Sequence, residues 1–164
     1  MPYNKIILIL TITSVALMAG LFYSFSISVM PALSRTENKT FVEVMQQINR
    51  VIINPYFGIA FFGSIIFTIV NVYFQFREGV DVKFYLTIAS ALIFLIGTIG
   101  VTFFGNVPLN NALDVVNIAN ETDVEKARIS FERIWNLLNN IRSISALISL
   151  ILLIIPLVMR EGVE

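Results

Sequence analysis

The chain has 164 residues, of which 57% are hydrophobic and only 13% are charged. A soluble domain of this size would need far more polar surface, so the composition indicates an integral membrane protein. Its 11 basic and 11 acidic residues balance, which gives no indication of a nucleic-acid partner.

Histidine and cysteine are both absent from the sequence. Without cysteine there are no disulfides, iron–sulfur clusters or thiolate nucleophiles, and without histidine the commonest transition-metal and haem ligand is missing. The same absences exclude catalysis by Ser-His or Cys-His pairs. No tight group of Asp and Glu residues invites a hard cation, so we expect no metal and no cofactor.

Four apolar runs predict membrane-spanning helices at about residues 6–30, 57–76, 84–104 and 142–159. A helix needs roughly 20 apolar residues to cross a bilayer, so the fourth run is long enough only if its helix begins earlier. We expect an all-α fold, a four-helix transmembrane bundle that forms a single domain over residues 1–164. The first run is longer than the apolar part of a signal peptide, which favours a retained anchor.

The polar segment between the first two runs has the pattern of an amphipathic surface helix from about Phe41 to Ile53. Thr40 followed by Glu43 is a capping box, which predicts where this helix begins. Asn54 and the following proline are expected to end it and to begin the second span. The apolar positions at helical spacing are Phe41, Val44, Met45, Ile48 and Ile52.

The connection between the third and fourth runs predicts helix from about Pro108 to Ile141. Asn106 is expected to cap its first helix, with Pro108 in the first turn. Thr122 begins a second capping box, and the helix that it opens is expected to continue without a break into the fourth span.

The distribution of cations predicts the orientation of the bundle. With four spans, both termini share one face of the membrane with the short turn after the second run. Cations are denser on that side, which favours cytoplasmic termini in a plasma-membrane protein. The cations on that side are Lys5, Arg77, Lys83 and Arg160.

Small residues at regular spacing predict close packing between helices. We interpret them as contacts within the bundle rather than as a dimer face, which leaves a homo-oligomer open without indicating one. They are Ala16, Gly20, Ser24 and Ser28 in the first run, Gly97 and Gly100 in the third, and Ser145 and Ser149 in the fourth.

A cluster of polar residues at one membrane face supplies the candidate ligand-binding residues. They are Gln46, Asn49, Asn106, Asn110, Trp135, Asn139 and Arg142. We expect Asn106 and Arg142 to lie near each other, because they stand where adjacent spans leave and enter the membrane. Two interpretations are open: the cluster locks helix ends together, or it forms the polar end of a ligand site.

Arg142 needs acceptors wherever it is buried, because a guanidinium has five donors and stays charged. By segment, the nearest carboxylates are Asp114, Glu43 and Glu132. No charged residue stands deep inside an apolar run, which disfavours ion-driven transport.

Five segments of the chain resemble the anthrone oxygenase-like membrane proteins. They are GLFYSF at 20–25, MQQIN at 45–49, NVPLN at 106–110, WN at 135–136 and NNIRS at 139–143. The resemblance covers nearly the whole chain. It implies a four-span bundle and, for some members, oxidation of polyphenolic anthrones by dioxygen without a cofactor.

Two functions follow as expectations. In the first, the protein binds or oxidises a small lipophilic, polyphenol-like molecule in the bilayer. Because histidine is absent, proton abstraction would then fall to Asp114, Glu43 or Tyr56. In the second, it is a non-catalytic assembly or accessory protein of the membrane, and its Asn/Arg cluster is structural. An apolar pocket beside Asn106 and Arg142 favours the first function, and a fully packed cluster favours the second.

Overall fold

Four long helical stretches organise the molecule. The computed structural model describes residues 2–159, and four of its helical stretches are long and apolar enough to cross a membrane. The described part of the chain contains no β-strand. The predicted all-α, four-span fold is therefore confirmed. We call these stretches the first to fourth spans: Asn4–Leu33, Pro55–Glu78, Val82–Asp114 and Glu121–Val158.

The α-helices follow one another with few loops. In chain order they are α1 Pro2–Ser24, α2 Met30–Leu33, α3 Asn38–Val51, α4 Pro55–Glu78, α5 Val82–Phe94, α6 Val107–Asp114 and α7 Glu121–Val158. Helix α3 is the predicted surface helix, and α6 with the first half of α7 is the predicted helical connection. The fourth span starts far earlier than its apolar run, because α7 is one continuous helix of 38 residues.

Wider, π-helical turns join the α-helices inside the first and third spans. They are Phe25–Val29, Leu95–Gly100 and Thr102–Asn106. The first and last of these segments are each followed, two residues later, by a proline, Pro31 or Pro108. A proline cannot donate to the preceding turn and its ring crowds the carbonyl four residues earlier, so a wider turn relieves both problems. The prolines therefore change the helix without ending it.

Asn106 lies inside this continuous helix. Its backbone is helical, with φ −69° and ψ −38°, and its side chain makes no capping hydrogen bond. The prediction that Asn106 caps a new helix is wrong, because the wide turn carries the third span past Pro108. The Asn106 side chain is consequently free to point at the fourth span.

The third and fourth spans approach each other closely within the bundle. A Cβ atom added to Gly97 would lie 2.2 Å from Ser145 Oγ. The Ser90 hydroxyl donates to the carbonyl of Ser149 at 2.9 Å, deep in the bundle. The predicted packing role of Gly97, Ser145 and Ser149 is confirmed.

The small residues of the first span face outward instead. Gly20, Ser24 and Ser28 are exposed, and a Cβ atom added to Gly20 would meet no atom within 4 Å. The prediction that this stripe packs inside the bundle is wrong. The opposite face of α1 carries larger side chains, and these fill the core together with residues of the other spans. The core comprises Val15, Met18, Ala19, Phe22, Phe61, Phe94, Ile99, Ala146 and Leu153.

A second apolar core lies beyond the bundle, and we call the structure around it the cap. Its buried residues are Met30, Leu33, Phe41, Val42, Met45, Leu113, Val124, Phe131 and Trp135. They come from α2, α3, α6 and the first half of α7. Burial of an aromatic or aliphatic side chain contributes about 1.5–3 kcal/mol, so these contacts hold α3 against α7.

Polar bonds fix the cap at both of its outer edges. Arg128 on α7 donates to the carbonyl oxygens of Ser34 and Thr36 at 2.9 and 2.8 Å, and to the side chain of Asn38 at 3.1 Å. This arrangement places the loop before α3 and the first half of α7 on the same side of the bundle. On the opposite side, the Asn4 side chain donates to Glu78, which joins the ends of α1 and α4.

Two predicted helix starts are corrected by the structure. Glu37 stands at the N-cap of α3 in extended conformation, so Thr40 already lies in the first turn. Asn120 caps α7, and its side-chain oxygen accepts from the backbone N–H groups of Thr122 and Asp123 at 3.2 and 3.3 Å. In both cases the helix begins earlier than the capping-box pattern indicated; Asn120 caps α7 through its side chain, whereas Glu37 makes no side-chain capping bond to α3. Asn54 caps α4 as expected, accepting from the N–H of Phe57 at 3.0 Å.

Candidate functional site

A cavity of about 420 Å³ separates the membrane core from the cap. This volume falls in the range of roughly 300–1,000 Å³ that is typical of small-molecule sites. Seven helical segments contribute to its wall. The apolar lining includes Leu21, Phe22, Phe25, Phe57, Phe61, Phe62 and Phe103, and the polar lining includes Asn49, Arg50, Thr102, Asn106, Asn110, Asp114, Asn139 and Arg142.

Arg142 is the charged group at the inner wall of this cavity. Its guanidinium donates through Nη2 to Asn139 Oδ1 at 2.8 Å and through Nη1 to Thr102 Oγ1 at 3.4 Å. Its Nε has no hydrogen-bond partner among residues 2–159, although the residue is only 6% exposed. The Cζ atom lies 4.4 Å from the ring centroid of Phe22 and 5.5 Å from that of Trp135. Aromatic faces and neutral oxygens therefore surround a cation that retains donor capacity.

Carboxylates do not neutralise Arg142 in the described part of the chain. Asp114 pairs with Arg50 at 2.7 Å, and Glu132 pairs with Arg128 at 2.8 Å. The expectation that Asp114, Glu132 or Glu43 supplies its counter-charge is therefore wrong. Asp114 and Glu132 are already paired with other arginines, the first pair joining α3 to α6 and the second lying within one turn of α7.

Asn139 orients the guanidinium from one turn away on α7. Its Nδ2 donates to the carbonyl oxygen of Phe22 at 3.0 Å and to the hydroxyl of Ser26 at 2.9 Å. These bonds leave its Oδ1 directed at Arg142. Phe22 stands three residues before the first π-helical segment, where the helical register changes. The backbone of the first span thus determines how Arg142 is presented.

Asn106 faces the same cavity from the third span. Its Nδ2 donates to the carbonyl of Trp135 at 3.3 Å, whereas its Oδ1 is buried without a partner. Asn106 is 1% exposed, so its side chain is shielded from bulk water. Buried polar atoms are nearly always paired, so an unpaired acceptor at a cavity wall fits a ligand that donates a hydrogen bond.

Trp135, Asn110 and Asn49 complete the polar part of the wall. The indole N–H of Trp135 donates to Asn110 Oδ1 at 2.8 Å, which fixes the ring between the cap and the cavity. Asn49, at the end of α3, has a buried Nδ2 without a hydrogen-bond partner. Three residues of the wall therefore carry buried polar atoms without a partner among the described residues: donors in Asn49 and Arg142 and an acceptor in Asn106.

The structure brings six of the seven predicted site residues to this cavity: Asn49, Asn106, Asn110, Trp135, Asn139 and Arg142. Asn106 and Arg142 line the same cavity, as expected, without a direct hydrogen bond between them. Gln46 lies outside it. Its Nε2 donates to the carbonyls of Leu113 and Val116 at 2.9 and 3.0 Å, so it ties α3 to the end of α6.

Sequence reasoning missed the aromatic half of the site. Phe22, Phe57, Phe61 and Phe103 are apolar residues inside apolar runs, so nothing local distinguishes them from ordinary core residues. The signal that could have found Phe22 is its place in the segment GLFYSF at 20–25, one of those that carry the family resemblance. Tyr56, one of the expected proton acceptors, is 86% exposed and does not line the cavity, and neither does Glu43.

Few side chains at the cavity are of the types that bind metal ions. Within residues 2–159, no three His, Cys, Asp or Glu residues lie close enough together to hold a metal ion. Asp114 is the one acidic side chain among the described residues that line the cavity. The donors available there are amide oxygens, a hydroxyl and this carboxylate.

The fold and the cavity define a multi-pass α-helical membrane protein with a ligand-sized cavity beneath a helical cap. Comparison with known families gives its relationship: the sequence profile described as anthrone oxygenase matches residues 55–152, more than half of the chain. The chain belongs to the anthrone oxygenase family. No curated protein and no solved structure matches it. The matched region runs from α4 to the membrane part of α7, and so includes Arg142 and most of the cavity wall.

Proposed function

We propose that the protein binds a small, mostly apolar molecule in this cavity and that Arg142 receives an ionised or strongly polarised oxygen of that molecule. One observation carries the proposal. Arg142 is 6% exposed, lines the cavity, and has a free Nε donor with no carboxylate partner among the described residues.

Electrostatics favours this function over a purely structural role for Arg142. Burying a guanidinium costs several kcal/mol unless acceptors or an opposite charge compensate it. Here two neutral oxygens compensate in part, and one of them is at the long distance of 3.4 Å. An oxyanion in the cavity would supply the missing charge, and the rings of Phe22 and Trp135 would contact its apolar body.

Family membership extends the proposal to oxidation of the bound molecule. When anthrone becomes a quinone, two C–H bonds of a methylene break, one atom of dioxygen forms the new carbonyl and the other leaves as water. The first step is loss of a proton, which gives an enolate that is electron-rich enough for dioxygen to oxidise. Arg142 would stabilise the enolate oxygen. Asp114, at the cavity wall, is the residue that we assign as proton acceptor.

The binding proposal is tested with two probes that differ by one oxygen atom, 1-naphthol and naphthalene. Equilibrium dialysis measures how much of each probe is bound by the protein in phosphatidylcholine nanodiscs, after subtraction of the amount that empty nanodiscs take up. The ratio of the two bound amounts gives the preference for 1-naphthol. We expect Arg142→Met to lose this preference while its unfolding temperature stays at or above that of the wild type, because an apolar side chain removes a buried, under-compensated charge.

Arg128 offers a matched control for this experiment. It also lies over a phenylalanine ring, 4.6 Å from the centroid of Phe41, but it is fully hydrogen-bonded and outside the cavity. Arg128→Met should lower the unfolding temperature and keep the probe preference. The alternative function, a non-catalytic assembly or accessory protein with a structural cluster, predicts the reverse: no preference in the wild type and a destabilised Arg142→Met.

Oxidation is tested separately with anthrone and dioxygen, following formation of the quinone by its absorbance. Asp114→Asn should abolish turnover and keep binding of 1-naphthol, because the amide cannot accept the proton. Glu43→Gln is the control, since Glu43 does not line the cavity. Binding without any turnover in the wild type would contradict the oxidation step and leave the binding proposal intact.

We propose the plasma membrane as the location and the cytoplasm as the side of the termini. The density of Lys5, Arg77 and Lys83 near the turn between the second and third spans supports this orientation. Arg160, which belongs to the same argument, lies outside the described residues. Single cysteines at Asn38 and Asn120 in this cysteine-free chain should both be labelled from outside the cell. Labelling of either one only after the membrane is opened would contradict the orientation.

A further inference from the structure

The two edges of the cavity are closed by different kinds of contact. At the edge formed by α3 and α6, Arg50 and Asp114 form an ion pair at 2.7 Å. One turn away, Gln46 donates to the carbonyl oxygens of Leu113 and Val116. Polar side chains therefore join α3 to α6 at the edge of the cavity that lies in the cap, where water is the neighbouring solvent.

The opposite edge lies between the beginning of α4 and the end of the third span, and aromatic rings close it. Phe61 and Phe103 meet edge to face with their centroids 5.7 Å apart. Phe62 and Phe103 line the cavity and are nevertheless 57% and 46% exposed on the outside of the molecule. These two rings thus separate the cavity from the surroundings by the thickness of a side chain, with no hydrogen bond across the gap.

The aromatic edge lies at the depth of the bilayer hydrocarbon. Helix α4 has 24 residues, which corresponds to about 36 Å of helix against about 30 Å of hydrocarbon. Phe62 stands roughly 10 Å along this helix from Pro55, so its level is inside the apolar layer. Neighbouring outward residues are apolar as well, since Ile59 and Phe104 are 75% and 89% exposed.

Free space is present at the same edge. Gly58 lines the cavity one turn before Phe62, and a Cβ atom added to it would meet no atom within 4 Å. A helix that packed tightly against a neighbour at this point would leave no such space. The beginning of α4 therefore stands apart from other segments where it borders the cavity.

We infer that the cavity exchanges its ligand with the bilayer hydrocarbon through the gap between α4 and the third span, so that the ligand is an amphiphile dissolved in the membrane. It enters with its apolar body among the rings of Phe61 and Phe103, and its polar end reaches Arg142. The inference rests on the proposed function for the ligand, but the opening toward lipid is a property of the chain alone.

Trp135 reports on this opening without any ligand. It is the one tryptophan of the chain, it is 4% exposed, and it lines the cavity. In nanodiscs of phosphatidylcholine with brominated acyl chains, bromine atoms that enter the cavity quench its fluorescence. We expect strong quenching by the brominated lipid relative to unbrominated lipid, and weak quenching by acrylamide from the water.

Substitution at Gly58 makes the test specific. Gly58→Leu should fill the gap and remove most of the quenching by brominated lipid. Gly20→Leu is the matched control, because Gly20 also lies in a membrane helix with free space around its Cβ position but does not line the cavity. Phe62→Ala should widen the gap and increase the quenching, which tests the opening even if Gly58→Leu fails to fold.

Each outcome separates this inference from the proposed function. Quenching that is the same in the wild type, Gly58→Leu and Phe62→Ala overturns the opening, whatever the dialysis with 1-naphthol gives. Strong acrylamide quenching that increases in Arg50→Ala would assign access to the aqueous edge and also overturn it. Loss of 1-naphthol binding by Arg142→Met is independent of these results, so the proposed function stands or falls on its own measurement.

Discussion

Arg142 and Asn139 lie one turn apart on α7 and are joined by a hydrogen bond of 2.8 Å from Nη2 to Oδ1. Because Asn139 Nδ2 donates to the Phe22 carbonyl and the Ser26 hydroxyl, its oxygen cannot rotate away from the guanidinium. A neutral amide is thus the principal partner of the buried cation. Because the Asn139 amide is neutral, the positive charge of Arg142 remains available to a ligand in the cavity. A carboxylate at the same position would cancel this charge.

The first prediction concerns this neutral partner. Asn139→Asp should abolish the preference for 1-naphthol over naphthalene, although Arg142 is unchanged, because the new carboxylate takes up the guanidinium charge. Equilibrium dialysis in nanodiscs measures the preference. Asn140→Asp is the control, since Asn140 is exposed and does not line the cavity, so it should leave the preference intact. A preserved preference in Asn139→Asp would contradict the role of a free charge at Arg142.

The second prediction concerns the close approach of the third and fourth spans. Gly97→Ala should destabilise the protein by about 1–3 kcal/mol, because its Cβ would overlap Ser145 Oγ. Thermal unfolding in detergent measures the loss. Adding Ser145→Gly should restore part of it by removing the overlapping atoms. Gly20→Ala, where no atom is near, should be neutral or slightly stabilising, and equal effects of the two alanine substitutions would count against the packing argument.

A third prediction separates Gln46 from the ligand site. Gln46→Met should cost about 1–3 kcal/mol, because it removes the two hydrogen bonds by which α3 holds the Leu113 and Val116 carbonyls near the end of α6; the Leu113 carbonyl keeps the N–H of Val116 as a donor. Hydrogen exchange in α3 should become faster. Gln47→Met changes an exposed neighbour and should have no such effect. Faster exchange in both variants, or in neither, would show that Gln46 does not fasten the cap.

The fourth prediction distinguishes two assignments of the start of α7. Asn120→Ala should destabilise the helix start by about 1 kcal/mol, since the Asn120 side chain caps two backbone N–H groups. Thr122→Ala should change stability little, although the capping-box pattern had assigned the cap to Thr122. Hydrogen exchange in the first turn of α7 gives the comparison. A larger effect at Thr122 would restore the assignment made from sequence.

The sequence predicts the fold well because membrane spans are encoded by long apolar runs, and it predicts the polar cluster because amides and an arginine are conspicuous beside such runs. It does not predict the π-helical turns, since these change the backbone register without changing composition. Asn106 illustrates the result: the pattern before Pro108 resembles a helix start, while the chain continues as a wide helix.

The sequence did not predict which side chains contact each other in the folded protein. Asp114 was a reasonable counter-ion for Arg142 by segment, but tertiary packing places it beside Arg50 instead. The prediction that the small residues around Gly20 pack inside the bundle is wrong for a similar reason. Small residues permit close packing, but the bulkier opposite face of the helix is the one that packs against the other spans. Both outcomes depend on contacts between distant elements, which spacing within one element does not contain.

The sharing of α7 between the two cores has a consequence for biosynthesis. The α3 residues Phe41, Val42 and Met45 are completed early, but their partners Phe131 and Trp135 are synthesised about 90 residues later, which takes roughly ten seconds at ribosomal rates. During that interval the apolar face of α3 lacks its partners on α7. An amphipathic helix in this situation rests at the bilayer surface. In the nascent chain, α3 therefore stays at the lipid headgroups until α7 has been synthesised and packs against it to form the cap.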